Sequence, residues 1–279
     1  MSWVVLGHVT EWQWDSTLYQ GSAPYYVRGR VGYPVALAET LAERLGLDGS
    51  GRLLDVGCGP GSLTLLLAGH FARAVGVDAD QGMLDVAAES GAANVDWVRL
   101  RAEQLPAGLG RFRVVTFAQS FHWFDRDLVA ATVRGMLDAG GACVHVHATT
   151  HQGVDTDADL PYPRPPHAEI AELVRSYLGP VPRAGLGPSP KRAGGQETAI
   201  YRGAGFAGPE RFVIPGWPVT RTVDDVVAAT FSLSSSTPHL FGADRAAFEA
   251  DLRGLLARSA RDGRFGEWMR EIAVDIWRP

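Results

Sequence analysis

The residues with the clearest chemical potential are Asp55, Gly57, Gly59 and Gly61. They stand in Arg52-Leu53-Leu54-Asp55-Val56-Gly57-Cys58-Gly59-Pro60-Gly61, which runs on into Ser62-Leu63-Thr64-Leu65-Leu66-Leu67-Ala68. Alternating glycines let a chain turn sharply at positive φ and let a ligand approach bare backbone. The amphipathic pattern that begins at Ser62 aims free N–H groups and the positive end of a helix dipole at the same turn. This is the arrangement of a nucleotide-type cofactor site at the edge of a doubly wound sheet. A dinucleotide fingerprint continuing from Gly57 and Gly59 needs glycine at position 62, where the chain has Ser62, and a P-loop needs Gly-Lys-Ser/Thr. Asp55 would repel a pyrophosphate and suits a ligand with an amino group.

Further clusters lie downstream. Asp78 ends a second apolar run, where a carboxylate can accept both hydroxyls of a ribose; alone it reads equally as a helix cap before Gln81. Gln119-Ser120-Phe121-His122-Trp123-Phe124-Asp125 follows a fourth apolar run, the place where α/β enzymes put chemistry. His122 is the first candidate for a general base, followed by His145, His147 and His151. The alternative is that His122 and Trp123 only start a helix and pack. The three later histidines with Asp155, Asp157 and Asp159 match no firm metal-ligand spacing, and the metal expectation is none. Arg183, Lys191, Arg192 and Arg202 could grip an anion or simply be surface charges.

The elements that must position these residues alternate regularly. Pro34 opens a helix over 35–45 with Leu37, Leu41 and Leu45 on one face and Gly46 to end it. Strands are expected at 53–56, 72–77, 95–100, 112–118 and 142–147, with helices at 62–68, 81–89 and 126–137. Eight of the 17 prolines fall between residues 161 and 190, so that stretch cannot be continuous helix or sheet. One helix, 167–178, is expected inside it. Beyond lie a helix at 196–203, a strand at 210–215, a helix opened by Thr222 with Asp225, a helix at 243–260 and a strand at 268–277. The fold class is α/β: a doubly wound, Rossmann-like, seven-stranded and mainly parallel sheet, a C-terminal antiparallel hairpin strand and a helical cap.

The turn Asp55-x-Gly57-x-Gly59-x-Gly61 resembles motif I of the class I S-adenosylmethionine (SAM)-dependent methyltransferases. Arg30-Val31-Gly32-Tyr33-Pro34 is similar to the segment that precedes it in small-molecule members. Arg101-Ala102-Glu103-Gln104-Leu105-Pro106 resembles their adenine loop, and Gln119 to Phe124 resembles a motif of the trans-aconitate methyltransferase-like, or type 11, group. The resemblance implies SAM as cofactor. Asp55, Gly57, Cys58, Gly59, Asp78, Ala79, Ala102, Glu103 and Gln119 would hold it, with Arg30 at its carboxylate. It also implies a division into an aromatic N-terminal lid (1–33), a SAM-binding core (34–147), an acceptor cap (148–205) and the remaining core with closing strands (206–279).

Net charge is −5 with both signs interspersed, which points away from nucleic acid and anionic membranes. Cys58 and Cys143 are too few for a disulfide framework and fit a reducing cytoplasm. No apolar run reaches membrane-spanning length. The expected function is methyl transfer to a small-molecule acceptor, by O-methylation of a carboxylate or hydroxyl. The alternatives are C-methylation of a molecule such as an isoprenyl diphosphate with Mg²⁺, a nicotinamide-dependent oxidoreductase, or a SAM-binding module without catalysis.

Overall fold

The computed structural model describes residues 15–181, 183–184, 187–188 and 196–279. In chain order the elements are α1 (Ala23–Gly29), α2 (Val35–Leu45), β1 (Arg52–Val56), α3 (Ser62–Ala68), β2 (Arg73–Asp78), α4 (Gln81–Ala88), β3 (Val95–Arg99), β4 (Phe112–Ala118), α5 (Arg126–Met136) and β5 (Leu137–His147). They continue with α6 (His167–Leu178), β6 (Arg183–Ala184), β7 (Gly187–Pro188), α7 (Glu197–Gly203), β8 (Ala207–Ile214), β9 (Pro218–Thr222), α8 (Val223–Phe231), α9 (Arg245–Ser259), β10 (Arg264–Trp268) and β11 (Ile272–Arg278).

The main sheet has seven strands in the order β3-β2-β1-β4-β5-β11-β8. β1 pairs in parallel with β2 and β4, while β11 runs antiparallel to both β5 and β8. The central strands are continuous apolar runs because helices cover both faces. On one face Leu54, Val56, Phe117 and Cys143 pack with Val129 and Ala130 of α5 and Tyr201 of α7. On the other, Leu53, Val114 and Val144 pack with Leu37 and Leu41 of α2 and Leu63 and Leu67 of α3.

Local signals placed the helix ends well. Gly46 closes α2 in the left-handed region at φ 59°. Asp125 caps α5 by accepting from Leu128 N–H. The cap of α4 is Asp80, which accepts from Met83 N–H, and not Asp78, the cap candidate in the sequence. Thr222 and Asp225 form a reciprocal capping box on α8.

The strand expected over 268–277 is β11, which begins later, at Ile272. Trp268 instead ends β10, which pairs with β9 in a separate two-stranded sheet. The crossover is fixed by Met269 N–H donating to the Trp217 carbonyl at 2.8 Å. Packing joins segments from both sides of residue 205. Ile170 of α6 shares a third core with Val226 and Phe231 of α8, Phe248 and Leu252 of α9 and Phe265 of β10. Meanwhile α7, expected in the cap, buries Tyr201 in the main core. Apolar faces distant in sequence therefore build the cap jointly. Of the expected lid, residues 1–14, including Trp3, Trp12 and Trp14, lie outside the described residues. Among the described residues, no helix is long and apolar enough to cross a membrane.

Candidate functional site

The strand order reverses between β1 and β4, and a crevice opens outside their carboxyl ends, as sheet topology dictates. It holds a cavity of about 1010 Å³ including its open mouth. Its floor is the glycine turn, tied to β2 by Gly57 and Cys58 N–H groups that both donate to the Val77 carbonyl. Gly57, Gly59 and Gly61 all have positive φ, yet for different neighbours. A Cβ on Gly57 would lie 2.5 Å from Ser120 Cβ, and one on Gly61 would lie 2.4 Å from the Trp97 ring. A Cβ on Gly59 would meet nothing within 4 Å. The outer two glycines thus serve packing, and the middle one keeps a strip of backbone open to the cavity.

Asp55 lines the cavity but is 1 % exposed. Its two oxygens accept from the Thr64 hydroxyl at 2.6 Å and the Thr116 hydroxyl at 2.7 Å. Burial pushes its carboxyl above the usual range, against the pull of those hydroxyls. The sequence suggested a carboxylate facing a ligand; in the structure it also ties β1 to α3 and β4. Asp78, at the end of β2, accepts from Gly59 N–H at 2.8 Å and Asp80 N–H at 2.9 Å. Desolvation at the cavity floor raises its carboxyl to about 6 in spite of these bonds. Ala102 and Glu103 come from a short 3-10 turn after β3, and Glu103 also accepts from Asp125 N–H at 3.1 Å.

Every residue assigned to the cofactor from the sequence lines this one cavity: Arg30, Ala79, Cys58 and Gln119 join those just described. Gln119 is a non-glycine residue at φ 56°, immediately after β4. That conformation costs an L-residue about 1–2 kcal/mol, and the residue lines the cavity together with Tyr33. The opposite wall was not assigned in advance. Tyr19, Tyr26 and Trp123 form it, with Tyr19 edge-on to both others at ring separations of 6.4 and 6.2 Å. Tyr19 also hydrogen-bonds Trp123, and burial raises its phenol far above the ordinary value. Their clustering before the first strand was the available signal, but nothing local says which rings face inward. Thr150 lines the same wall and carried no signal at all. The Arg30 guanidinium lies 4.5 Å from the centre of the Tyr26 ring and donates to the Ser232 hydroxyl and carbonyl rather than to a carboxylate.

The histidines are not gathered here. His122 is exposed, stacks beside Trp123 with ring centres 4.7 Å apart, and stands outside the described cavity lining. The 3-10 turn Phe121–Trp123 turns Phe121 into the core and Trp123 to the cavity, which leaves His122 outward. His145 and His147 do share a strand face and stack at 4.2 Å, but against Phe121 and Tyr201. Burial drops His145 to about 3, so it is neutral. His147 bonds Asp275, which Arg211 holds bidentately. Burial also lowers His151, to about 4. Asp155 is exposed and pairs with Arg164, and among the described residues no three potential metal ligands converge. Arg202 is exposed and donates to the Gly208 carbonyl; Lys191, Arg192 and the Arg183 side chain lie outside the described residues.

Residues 53–141, which span β1 to β5 and the glycine turn, match the family described as "Methyltransferase domain". Over that stretch the chain carries a methyltransferase domain. An uncharacterized methyltransferase of Mycobacterium bovis is 35% identical over 130 residues, covering 46% of this chain and 51% of that protein. Malonyl-[acyl-carrier protein] O-methyltransferase of Acetivibrio thermocellus is 35% identical over 94 residues, covering 32% and 33%. The YcgJ protein of Bacillus subtilis aligns over 86% of this chain and 97% of its own at 17% identity, with a TM-score of 0.48. The matches span a third to a half of the length of these curated relatives.

The cavity's chemistry fits SAM, the cofactor that the resemblance of the glycine turn implies. A desolvated carboxylate at the end of β2 can take a ribose diol, the space over Gly59 admits a ligand against backbone, and Arg30 offers a cation that, among the described residues, is held by Ser232 and by no carboxylate.

Proposed function

We propose that this chain transfers a methyl group from SAM to a small-molecule acceptor, an oxygen of a carboxylate or hydroxyl. The observation that carries this reading is the continuity of one cavity. One side offers the glycine turn, Asp78 and the Ala102–Glu103 turn; the other offers Tyr19, Tyr26, Trp123 and Thr150. A donor and an acceptor held in one such space meet without diffusing, and orientation of that kind supplies most of what a direct displacement needs.

When bound, SAM supplies an electrophilic methyl on a positively charged sulfur. Asp78 would accept the ribose hydroxyls, the Ala102 N–H and Glu103 would meet the adenine edge, and Arg30 would meet the carboxylate. Gly57, Cys58, Gly59, Ala79 and Gln119 would line its length. The aromatic wall would exclude water and face a positive centre with ring π-density. The acids of the cavity lie on the donor side, whereas the acceptor wall carries phenol, indole and hydroxyl groups with Arg30 at its edge. That polarity suits a neutral or anionic oxygen acceptor better than a protonated amine. An ionised carboxylate also needs no proton removed. The O-methyltransferase named above is in keeping with this choice.

The test has two stages. Calorimetry should detect S-adenosylhomocysteine binding and no NAD binding; the reverse result would abandon the cofactor reading. A panel of carboxylic acids, phenols and amines should then show S-adenosylhomocysteine release with the first two classes. Turnover confined to amines would overturn the acceptor class.

A further inference from the structure

An ion network outside the cavity joins two of its walls. Glu267 of β10 is fully buried and accepts from Arg221 at 3.2 Å, from Gly153 N–H at 2.7 Å and from His167 Nε2 at 2.7 Å. Arg221 of β9 is 3 % exposed. Beyond Glu267, it donates to the carbonyls of His151 at 2.9 Å, Gly29 at 2.6 Å and Asp225 at 2.8 Å. One guanidinium thus ties the end of α1, the start of α8 and the loop after β5.

Two of those attachments sit next to cavity residues. Gly29 is the last residue of α1, so Arg221 caps a carboxyl-terminal carbonyl and the next residue is Arg30. His151 follows Thr150, whose carbonyl accepts from Val31 N–H at 2.8 Å. Gly29 is also pressed on α8: a Cβ there would lie 2.3 Å from the backbone of Ala228 and Ala229. The same helix leads to Ser232, which receives the Arg30 guanidinium. Arg30 is therefore fixed at both ends, at its backbone through Arg221 and at its guanidinium through Ser232.

A buried ion pair is a poor stabiliser compared with apolar residues of the same volume, because desolvation offsets the attraction. Its advantage is geometric: a planar fork with five donors fixes several acceptors at set angles, which an ammonium cannot do. We infer that Arg221, held by Glu267, is a positioning residue that sets Arg30 to receive the carboxylate end of the cofactor. This rests on the cofactor reading proposed above.

The test uses two probes in calorimetry on the full chain: S-adenosylhomocysteine, and methylthioadenosine, which lacks the amino-acid end. Arg221→Lys keeps the charge beside Glu267 but cannot reach all four acceptors. It should lower affinity for S-adenosylhomocysteine at least tenfold and leave affinity for methylthioadenosine within twofold. Equal losses for both probes, or no loss for either, would overturn the positioning role. Should the lysine variant fail to fold by circular dichroism, Glu267→Gln loosens Arg221 with little change of shape. The same selective loss, threefold or more, is expected there, and its absence counts against the inference. Wild-type protein that bound neither probe would refute the cofactor reading itself, and this inference with it.

Discussion

Gly59 donates its backbone N–H to the Asp78 carboxylate across 2.8 Å, so the turn after β1 and the end of β2 are tied together on the cavity floor. Asp78 accepts from Asp80 N–H as well. It therefore organises the site before any ligand arrives.

If Asp78 receives the ribose as proposed, cofactor binding should be sensitive to pH. Desolvation holds its carboxyl at about 6. Ribose hydroxyls donate to the ionised form, so the pKa falls in the complex and binding below pH 6 must expel a proton. Affinity for S-adenosylhomocysteine should be constant above pH 7 and fall toward tenfold per unit below about 6. Asp78→Asn should weaken binding at pH 8 by about tenfold or more, a charged hydrogen bond being worth about 1.5–3 kcal/mol, and should abolish that acid limb. Calorimetry from pH 5 to 8 decides; an unchanged limb in the variant would assign it elsewhere.

The glycines separate by what they face. Gly61→Ala puts a Cβ into the Trp97 ring at φ 83° and should destabilise the protein by about 1–3 kcal/mol, read as a lower Tm. Gly59→Ala meets no protein atom within 4 Å. Its cost in stability should be only the left-handed strain, about 1–2 kcal/mol, while S-adenosylhomocysteine affinity falls more than in Gly61→Ala. If the two variants lose affinity alike, the space above Gly59 is not where ligand lies.

Gln119 holds a conformation natural to glycine while its side chain lines the cavity. Gln119→Gly relieves the backbone and removes that side chain, so Tm should not fall. Gln119→Ala keeps the strain and also removes the side chain, and should be the less stable of the two. Both should bind S-adenosylhomocysteine more weakly than wild type. A glycine variant that bound as well as wild type would leave the strained backbone without a part in the site.

The glycine-turn side of the cavity was legible because its constraints are local. A positive-φ turn needs glycine, a strand end needs its carboxylate within a few residues, and caps such as Asp125 and Thr222 act over three positions. The opposite wall depends on contacts between distant segments. That Tyr19 meets Trp123, that Gly29 meets Ala228, or that Arg221 reaches three loops leaves no periodic trace. The second sheet was missed for the same reason: β9 and β10 are short, and what makes them strands is their pairing with each other across more than forty residues of chain. The two-faced character of β5 was readable, since alternation puts His145 and His147 together, but whether that face met ligand or core was not.

His122 tests the limits of that reading. Its neighbours in the Gln119–Phe124 stretch face inward, Phe121 to the core and Trp123 to the cavity, while its own ring lies exposed beside Trp123. A general base must reach the proton it removes within about 2.6–3.2 Å or through one water. With the true acceptor, His122→Ala should therefore lower kcat less than about tenfold, against the 10²–10⁴ typical of a lost proton-transfer group. Trp123→Ala, which removes cavity wall and the partner of Tyr19, should cost more, chiefly in acceptor KM. The pH–rate profile provides the second readout: any limb in the ordinary imidazole range, about 6.5, should persist in His122→Ala. A loss of a hundredfold together with disappearance of that limb would show that the Phe121–Trp123 turn rearranges on binding and brings His122 to the acceptor.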